Sequence, residues 1–227
     1  MSARQPGDAA RPRVRPFRSE DAEAIAPILY ESSGGLYDRY AGSRALAERA
    51  ITRALSREDT TASADVVWVA EADGEVAGAM AAMPYPEWTP RAQAFLRVTL
   101  RTIPPWRWAR AITVYRASGR VAPEPPRSCF YVDSLASAPT HRRRGVGRAL
   151  LEEADRLAEE LGLRYVALDT WIDNRAARSL YARAGFEEVA CTPGQGLLPG
   201  GVSLLKELGV SRVVEPPGSR GRLPAGR

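Results

Sequence analysis

Apolar positions along this chain recur at two different spacings, and the changes between them mark out the elements. Val146, Leu150, Ala154, Leu157 and Leu161 repeat at helical spacing, and Gly162 stands where a C-cap glycine belongs. Just upstream, Cys129–Leu135 (CFYVDSL) is rich in aromatic and β-branched residues and predicts a strand over 129–137. Asp65–Glu71 and Glu75–Met83 predict two strands joined by a tight turn at Asp73-Gly74. Arg164–Trp171 predicts a further strand, 174–184 a helix stopped by Gly185, and Phe186–Cys191 with Val202–Glu207 a closing hairpin.

The first part of the chain begins with a short strand, Val14–Arg18, and a helix capped by Ser19 that carries Ile25, Ile28 and Leu29 on one face, with Pro27 predicting a kink. Ser33-Gly34-Gly35 ends it, a loop bearing Tyr37 and Tyr40 follows, and Ser43–Leu55 predicts a second helix. Pro84–Arg127 reads as an insertion of two short helices, 90–103 and 105–117, divided by Pro104-Pro105.

The order of elements implies an α/β (α+β) domain. A strand–helix–strand unit over 129–171 requires a right-handed crossover, so these two strands lie parallel within an otherwise antiparallel sheet. Ligands in such sheets collect at the carboxyl ends of parallel strands. One domain is expected over 13–207 with the helical insertion at 84–127, and the tails 1–12 and 208–227, rich in Pro, Gly, Ala and Arg, are expected to be disordered.

Charge narrows the function classes. The net +5 belongs to the tails: residues 1–13 hold Arg4, Arg11 and Arg13 against Asp8, and residues 212–227 hold Arg212, Arg220, Arg222 and Arg227 against Glu215. The body 14–211 is therefore neutral, and a general nucleic-acid surface is not required. Within it, residues 91–127 carry eight Arg against Glu124 alone, which reads either as a solvated helix face or as a wall near an anion. The two cysteines, Cys129 and Cys191, stand in apolar strand-like surroundings and are expected to be buried thiols in a reducing compartment. The uncharged run Val189–Leu205 is broken by Pro and Gly, so no membrane span is expected, and the chain reads as soluble and cytoplasmic. One His and two distant Cys cannot form a usual zinc shell.

Arg142-Arg143-Arg144-Gly145-Val146-Gly147 lies between the predicted strand and helix. A basic, Gly-bearing turn there aims main-chain N–H groups and a positive helix end at one place, which suits a phosphate. With LASAPTHRRRGVGRALL and LDTWIDNRAARSLYARAGF, the chain resembles the GNAT superfamily of acyl-CoA-dependent N-acyltransferases. The family's Arg/Gln-x-x-Gly-x-Gly/Ala loop matches 142–147, and its Asn, Tyr and Gly-Phe signature matches Asn174, Tyr181 and Gly185-Phe186. The likeness extends over roughly 14–207 and implies a mixed, mostly antiparallel sheet with a splayed parallel pair and flanking helices.

That resemblance implies transfer of an acetyl or larger acyl group from acetyl-CoA to a primary amine, without a metal. It assigns the diphosphate to Arg142, Arg143, Arg144, Gly145, Val146 and Gly147, with Arg148 next in line, and the pantetheine to the main chain of Leu135, Ala136 and Ser137 and to Asn174. It makes Tyr181 the acid for the departing thiolate; the residues alone also allow a core aromatic beside Ala177 and Leu180. Alternation from Leu135 places Tyr131 and Asp133 on its face, so Asp133 is either the general base or a structural carboxylate. His141 lies on the wrong side for a base and is expected at the surface. Tyr30, Tyr37, Tyr40, Trp88, Trp106 and Trp108 are candidates for the acceptor pocket or for the core. Many relatives dimerise, and nothing in the chain decides that. A non-catalytic acyl-CoA-binding regulator is the alternative, and the partner is a small-molecule or peptide amine in either a monomer or a homodimer.

Overall fold

The computed structural model describes residues 11–118, 124–194 and 198–209. Seven strands, β1 (Arg13–Pro16), β2 (Val67–Ala72), β3 (Glu75–Pro84), β4 (Cys129–Ser137), β5 (Tyr165–Trp171), β6 (Glu187–Thr192) and β7 (Gly201–Glu207), form one sheet. Their order is β1-β2-β3-β4-β5-β7-β6, with β4 and β5 parallel and every other neighbour antiparallel. The mixed sheet with one parallel pair is thus as the sequence implies.

Among the described residues seven α-helices cover it: α1 (Ala22–Ser32), α2 (Leu36–Ala41), α3 (Arg44–Leu55), α4 (Tyr85–Thr102), α5 (Trp108–Ser118), α6 (Val146–Glu160) and α7 (Arg175–Arg183). On one face α6 and α7 bury Leu150, Leu151, Ala154 and Tyr181 against Met80, Phe130, Val132 and Leu168. On the other, α1 and α3 bury Ile25, Leu29 and Ile51 against Val67, Val69, Ala79 and Ala81. Burial of each such Val, Leu or Ile side chain contributes about 1.5–3 kcal/mol.

Local chemistry sets the boundaries. Asp73 and Gly74 both adopt positive φ (55° and 82°), the geometry a two-residue I′ hairpin needs. α6 ends in a Schellman arrangement: Leu163 N–H bonds the Ala158 carbonyl at 2.9 Å and Gly162, at φ 66°, bonds Glu159 at 3.0 Å. The inserted helices begin at different points from those expected. Pro86 stands at the second position of α4, where a missing N–H costs no intrahelical bond, and the helix starts at Tyr85 and carries Pro90 within it. The tyrosines expected in a loop after α1 stand on α2. Leu208, expected in a tail, bonds Arg164 and is buried. The remaining tail residues, 1–10 and 210–227, lie outside the described residues.

Ser19 does not cap α1. It opens a single 3-10 turn, and the Asp21 carboxylate accepts from the Arg18 main-chain N–H at 2.8 Å. The same carboxylate takes a two-point bond from Arg15 (2.7 and 2.9 Å), and Glu71 closes the trio from β2 at 2.6 Å. Arg15 and Asp21 are both buried, and the guanidinium holds the Asp21 carboxyl below its ordinary range. Asp21→Ala removes the buried partner of Arg15 and leaves its guanidinium to Glu71 alone, and is expected to lower unfolding free energy at pH 7 by about 2–3 kcal/mol. A depressed folded pKa means the stabilisation is complete above the unfolded value and is lost as pH falls, so urea titrations should show the deficit shrinking below about pH 4. A deficit under 1 kcal/mol at pH 7 would contradict this reading.

Candidate active site

The turn before α6 has the backbone its glycines and arginines suggest. Arg143 sits at φ 62° and Gly145, the N-cap, at φ 82° with open space where a Cβ would be. The first helical bond runs from Ala149 N–H to the Gly145 carbonyl at 3.0 Å, which leaves the N–H groups of Val146, Gly147 and Arg148 at the free, positive end of the helix. Gly147 lies under α7: a Cβ there would come within 2.8 Å of Leu180 Cδ2. Arg142, Arg143, Arg144 and Arg148 are all exposed, with Arg144 paired to Asp73 and Arg148 to Glu152 at 2.9 Å.

β4 and β5 share a ladder only from Cys129↔Tyr165 to Val132↔Leu168. Beyond it β4 stays with β3, pairing Leu135 with Met80, Ala136 with Ala79 and Ser137 with Gly78. β5 stays with β7 as far as Trp171↔Gly201. The facing edges of 133–137 and 169–171 therefore diverge with no strand between them. Such an edge offers main-chain groups to an extended ligand, as in strand addition.

The divergence begins at a β-bulge. Ala81 pairs with Ser134 and Ala82 with Val132, so Asp133 is an extra residue on β4. This overturns the face expected for Asp133. Leu135 packs toward α6 with Phe130 and Val132, whereas Tyr131, Asp133 and Ser134 line a cavity on the other face. Consecutive residues Asp133 and Ser134 reach one cavity because the bulge resets the side-chain alternation. The sequence held a sign of it: the apolar rhythm Phe130, Val132 resumes at Leu135, one position out of phase.

The cavity has a volume of about 480 Å³. Its floor is Tyr131, Asp133 and Ser134 of β4 with Asp169, Thr170 and Trp171 of β5. Tyr37 and Tyr40 of α2 form one wall, and Trp88, Phe95 and Leu96 of α4 with Tyr115 of α5 form the other. Trp171 fixes the first wall, donating from Nε1 to the Ser33 carbonyl at 3.1 Å. Its ring also lies against Gly34, where a Cβ would be 2.6 Å from Nε1.

Two carboxylates meet at the floor. Asp133 accepts from Trp88 Nε1 at 2.6 Å and from Ser134 Oγ at 3.3 Å, yet burial prevails over both donors and pushes its carboxyl up to about 6. Asp169 accepts from the Tyr131 hydroxyl at 2.8 Å, and burial raises it too. Burial likewise pushes the Tyr40 hydroxyl up to about 12.

On α7, Asn174 caps the helix, accepting from Ala177 N–H at 3.2 Å and donating to Thr170 Oγ1 at 3.2 Å. Tyr181 is buried and packs on Phe186, ring centroids 6.0 Å apart. Its hydroxyl has no hydrogen-bond partner among the described residues, and burial pushes it up to about 12.

Other sequence expectations need correction. His141 is buried, not at the surface, because the 3-10 turn Pro139–His141 folds its ring inward, where Nδ1 meets Thr140 Oγ1 at 3.0 Å. Cys129 is buried, but Cys191 is exposed on the outermost strand β6. Of the aromatic candidates, Tyr37, Tyr40 and Trp88 line the cavity. Tyr30 instead donates to Asp38 at 2.6 Å, and Trp106 and Trp108 are 82% and 44% exposed. Within the arginine-rich stretch, Arg91 pairs with Asp65 at 2.6 Å, and Arg116 lies at the cavity. Asp169 and Trp171 were not singled out from sequence; nothing local distinguishes them from ordinary strand residues. Among the described residues no His, Cys, Asp and Glu group is placed to hold a metal, and no helix is long and apolar enough to cross a membrane.

The chain is similar to an Arabidopsis thaliana protein named GCN5-related N-acetyltransferase 7, chloroplastic, with 35% identity over 63 residues, 28% of this chain and 23% of that protein. It thus spans about a quarter of the length of that relative. Among solved structures it resembles an N-acetyltransferase from Staphylococcus aureus Mu50, with TM-score 0.64 and 19% identity, over 86% of this chain and 100% of that one. It also resembles a GCN5-related N-acetyltransferase from Kribbella flavida, with TM-score 0.54 and 20% identity, over 87% and 98%. Both likenesses concern the fold. The family described as acetyltransferase (GNAT) matches residues 35–186, more than half of the chain. By its sequence and its sheet alike, this chain belongs to the GNAT acetyltransferase family.

Proposed function

We propose that the chain transfers the acetyl group of acetyl-CoA to a primary amine by direct attack, with both substrates bound together. One observation carries this reading: the carboxylate raised to about 6, Asp133, is also the residue at which the unpaired edge of β4 begins. A proton acceptor and a main-chain cradle thus meet at one point.

The open turn at Gly145 and the exposed arginines fit a diphosphate. In this reading the N–H groups of Val146, Gly147 and Arg148 receive its oxygens, and the side chains of Arg142, Arg143 and Arg144 add positive field. The main chain of Leu135, Ala136 and Ser137 holds the pantetheine arm, steadied by Asn174. Acetyl-CoA supplies an acyl group activated as a thioester. An N–H of Leu135 or Ala136 faces the carbonyl oxygen and stabilises charge as it builds there.

Asp133 takes a proton from the acceptor ammonium, the freed nitrogen bonds the acyl carbon, the C–S bond breaks, and Tyr181 delivers a proton to sulfur. Overall, ammonium and thioester become amide, free thiol and one released proton. For an alkyl ammonium near pKa 10.4, transfer to a group near 6 is uphill by roughly 6 kcal/mol. That fits within the barrier of about 16 kcal/mol that corresponds to ten turnovers per second.

Thiol detection tests this. CoA release should require both an added amine and the protein. Gly145→Val, which forces a β-branched residue to φ 82°, should raise KM for acetyl-CoA by about tenfold or more. Release that ignores amines, or an unaltered KM in that variant, would argue against the assignment.

A further inference from the structure

We infer that the acceptor is a small primary monoamine with an aromatic or similarly bulky apolar body, its ammonium held between Asp133 and Asp169. The inference rests on the acyl-transfer reading and adds the class of acceptor. Three observations carry it.

First, α4 and α5 form a roof. Trp88, Phe95 and Leu96 of α4 and Tyr115 of α5 face the same cavity as Asp133, so the acceptor side is bounded by the sheet floor, by α2 and by the insertion. A volume of about 480 Å³ fits a compact ligand. An extended peptide bearing a lysine would have to thread between two helices whose ends are packed, with Trp108 bonded to the Leu100 carbonyl at 2.8 Å and Tyr40 to Ser118 at 2.9 Å.

Second, the anionic groups among the described lining residues are confined to the floor. Asp133 and Asp169 are the carboxylates that line the cavity among the described residues, and an ammonium between them offsets their mutual repulsion.

Third, the rest of the described lining refuses a second cation. Leu36, Ala92, Phe95 and Leu96 offer a distal ammonium no counter-charge, and Arg116 repels it. The same walls suit a ring, stacked among Tyr37, Phe95 and Trp88.

The test uses the full chain with acetyl-CoA and three acceptors: 2-phenylethylamine, spermidine and an N-terminally blocked lysine peptide. The kcat/KM for 2-phenylethylamine should exceed the other two by at least about tenfold. Leu96→Trp, which fills the cavity, should lower that value about tenfold or more. Calorimetry should show the heat of 2-phenylethylamine lost in this variant and the heat of acetyl-CoA retained. Equal or better turnover of spermidine or the peptide overturns the inference and leaves acyl transfer standing. So does a Leu96→Trp protein that binds and turns over 2-phenylethylamine normally. Absence of any acetyl-CoA heat in the unaltered protein removes both readings. If Leu96→Trp fails to fold, the acceptor panel decides alone.

Discussion

Tyr181→Phe is expected to lower kcat by about 10²–10⁴-fold while leaving acetyl-CoA affinity and the melting temperature almost unchanged. The ring packs on Phe186, and phenylalanine keeps that contact. The hydroxyl has no partner among the described residues, so its removal leaves no orphaned donor or acceptor. On the proposed mechanism, what is lost is a proton held ready for a departing thiolate. Because burial raises this phenol to about 12, it stays protonated across the usable range, and no falling limb in the pH–rate profile should come from it. Steady-state kinetics with thiol detection, alongside calorimetry for acetyl-CoA, separates the roles. A variant with normal kcat would reduce Tyr181 to a core aromatic.

Asp133→Asn should show a similar loss in kcat, about 10²-fold or more, together with a changed pH profile. In the unaltered protein the rate should rise with pH through an apparent pKa of about 6 and then level, because the base acts only when ionised. Asp169, whose carboxyl burial also raises, stands on the same cavity floor. In the variant this limb disappears. Stability should move the opposite way. A carboxyl raised by burial favours the folded state when protonated, and that advantage fades as pH rises through the folded value. At pH 8 the ionised group therefore opposes folding. Asparagine keeps an oxygen for Trp88 Nε1 and carries no charge, so its melting temperature at pH 8 should equal or exceed that of the parent. Lost stability with retained activity would make Asp133 a structural carboxylate.

The divergence of β4 from β5 links the two predictions. Tyr181 stands on α7, on the face that packs α6, and Asp133 opens onto the opposite face. Only where the sheet parts can the acid and the base proposed above, one on each face, serve one bond exchange. The same parting leaves main-chain groups of 133–137 available to a ligand arm.

Much of this site is written in local chemistry. The turn at 142–147, the helix it opens and the Asn174 cap are legible because their causes act within a few residues. Gly145 permits φ 82°, the i, i+4 apolar series of α6 needs only one face to bury, and Asn174 reaches an N–H three positions on. The family likeness added the roles proposed for residues whose side chains carry no such signal, notably the main chain of Leu135, Ala136 and Ser137.

Residue order along the chain thus determined the elements, the parallel pair and the basic turn at 142–147, since propensity, periodicity and capping are short-range. Tertiary structure alone decided the face of Asp133, the docking of Trp171 on the α1–α2 turn and the roof that α4 and α5 place over the acceptor side. A bulge exists only relative to the strand beside it, and β3 lies some fifty residues earlier in the chain. A carboxyl is raised by walls drawn from α2, α4 and β5, and no window of neighbouring residues contains them.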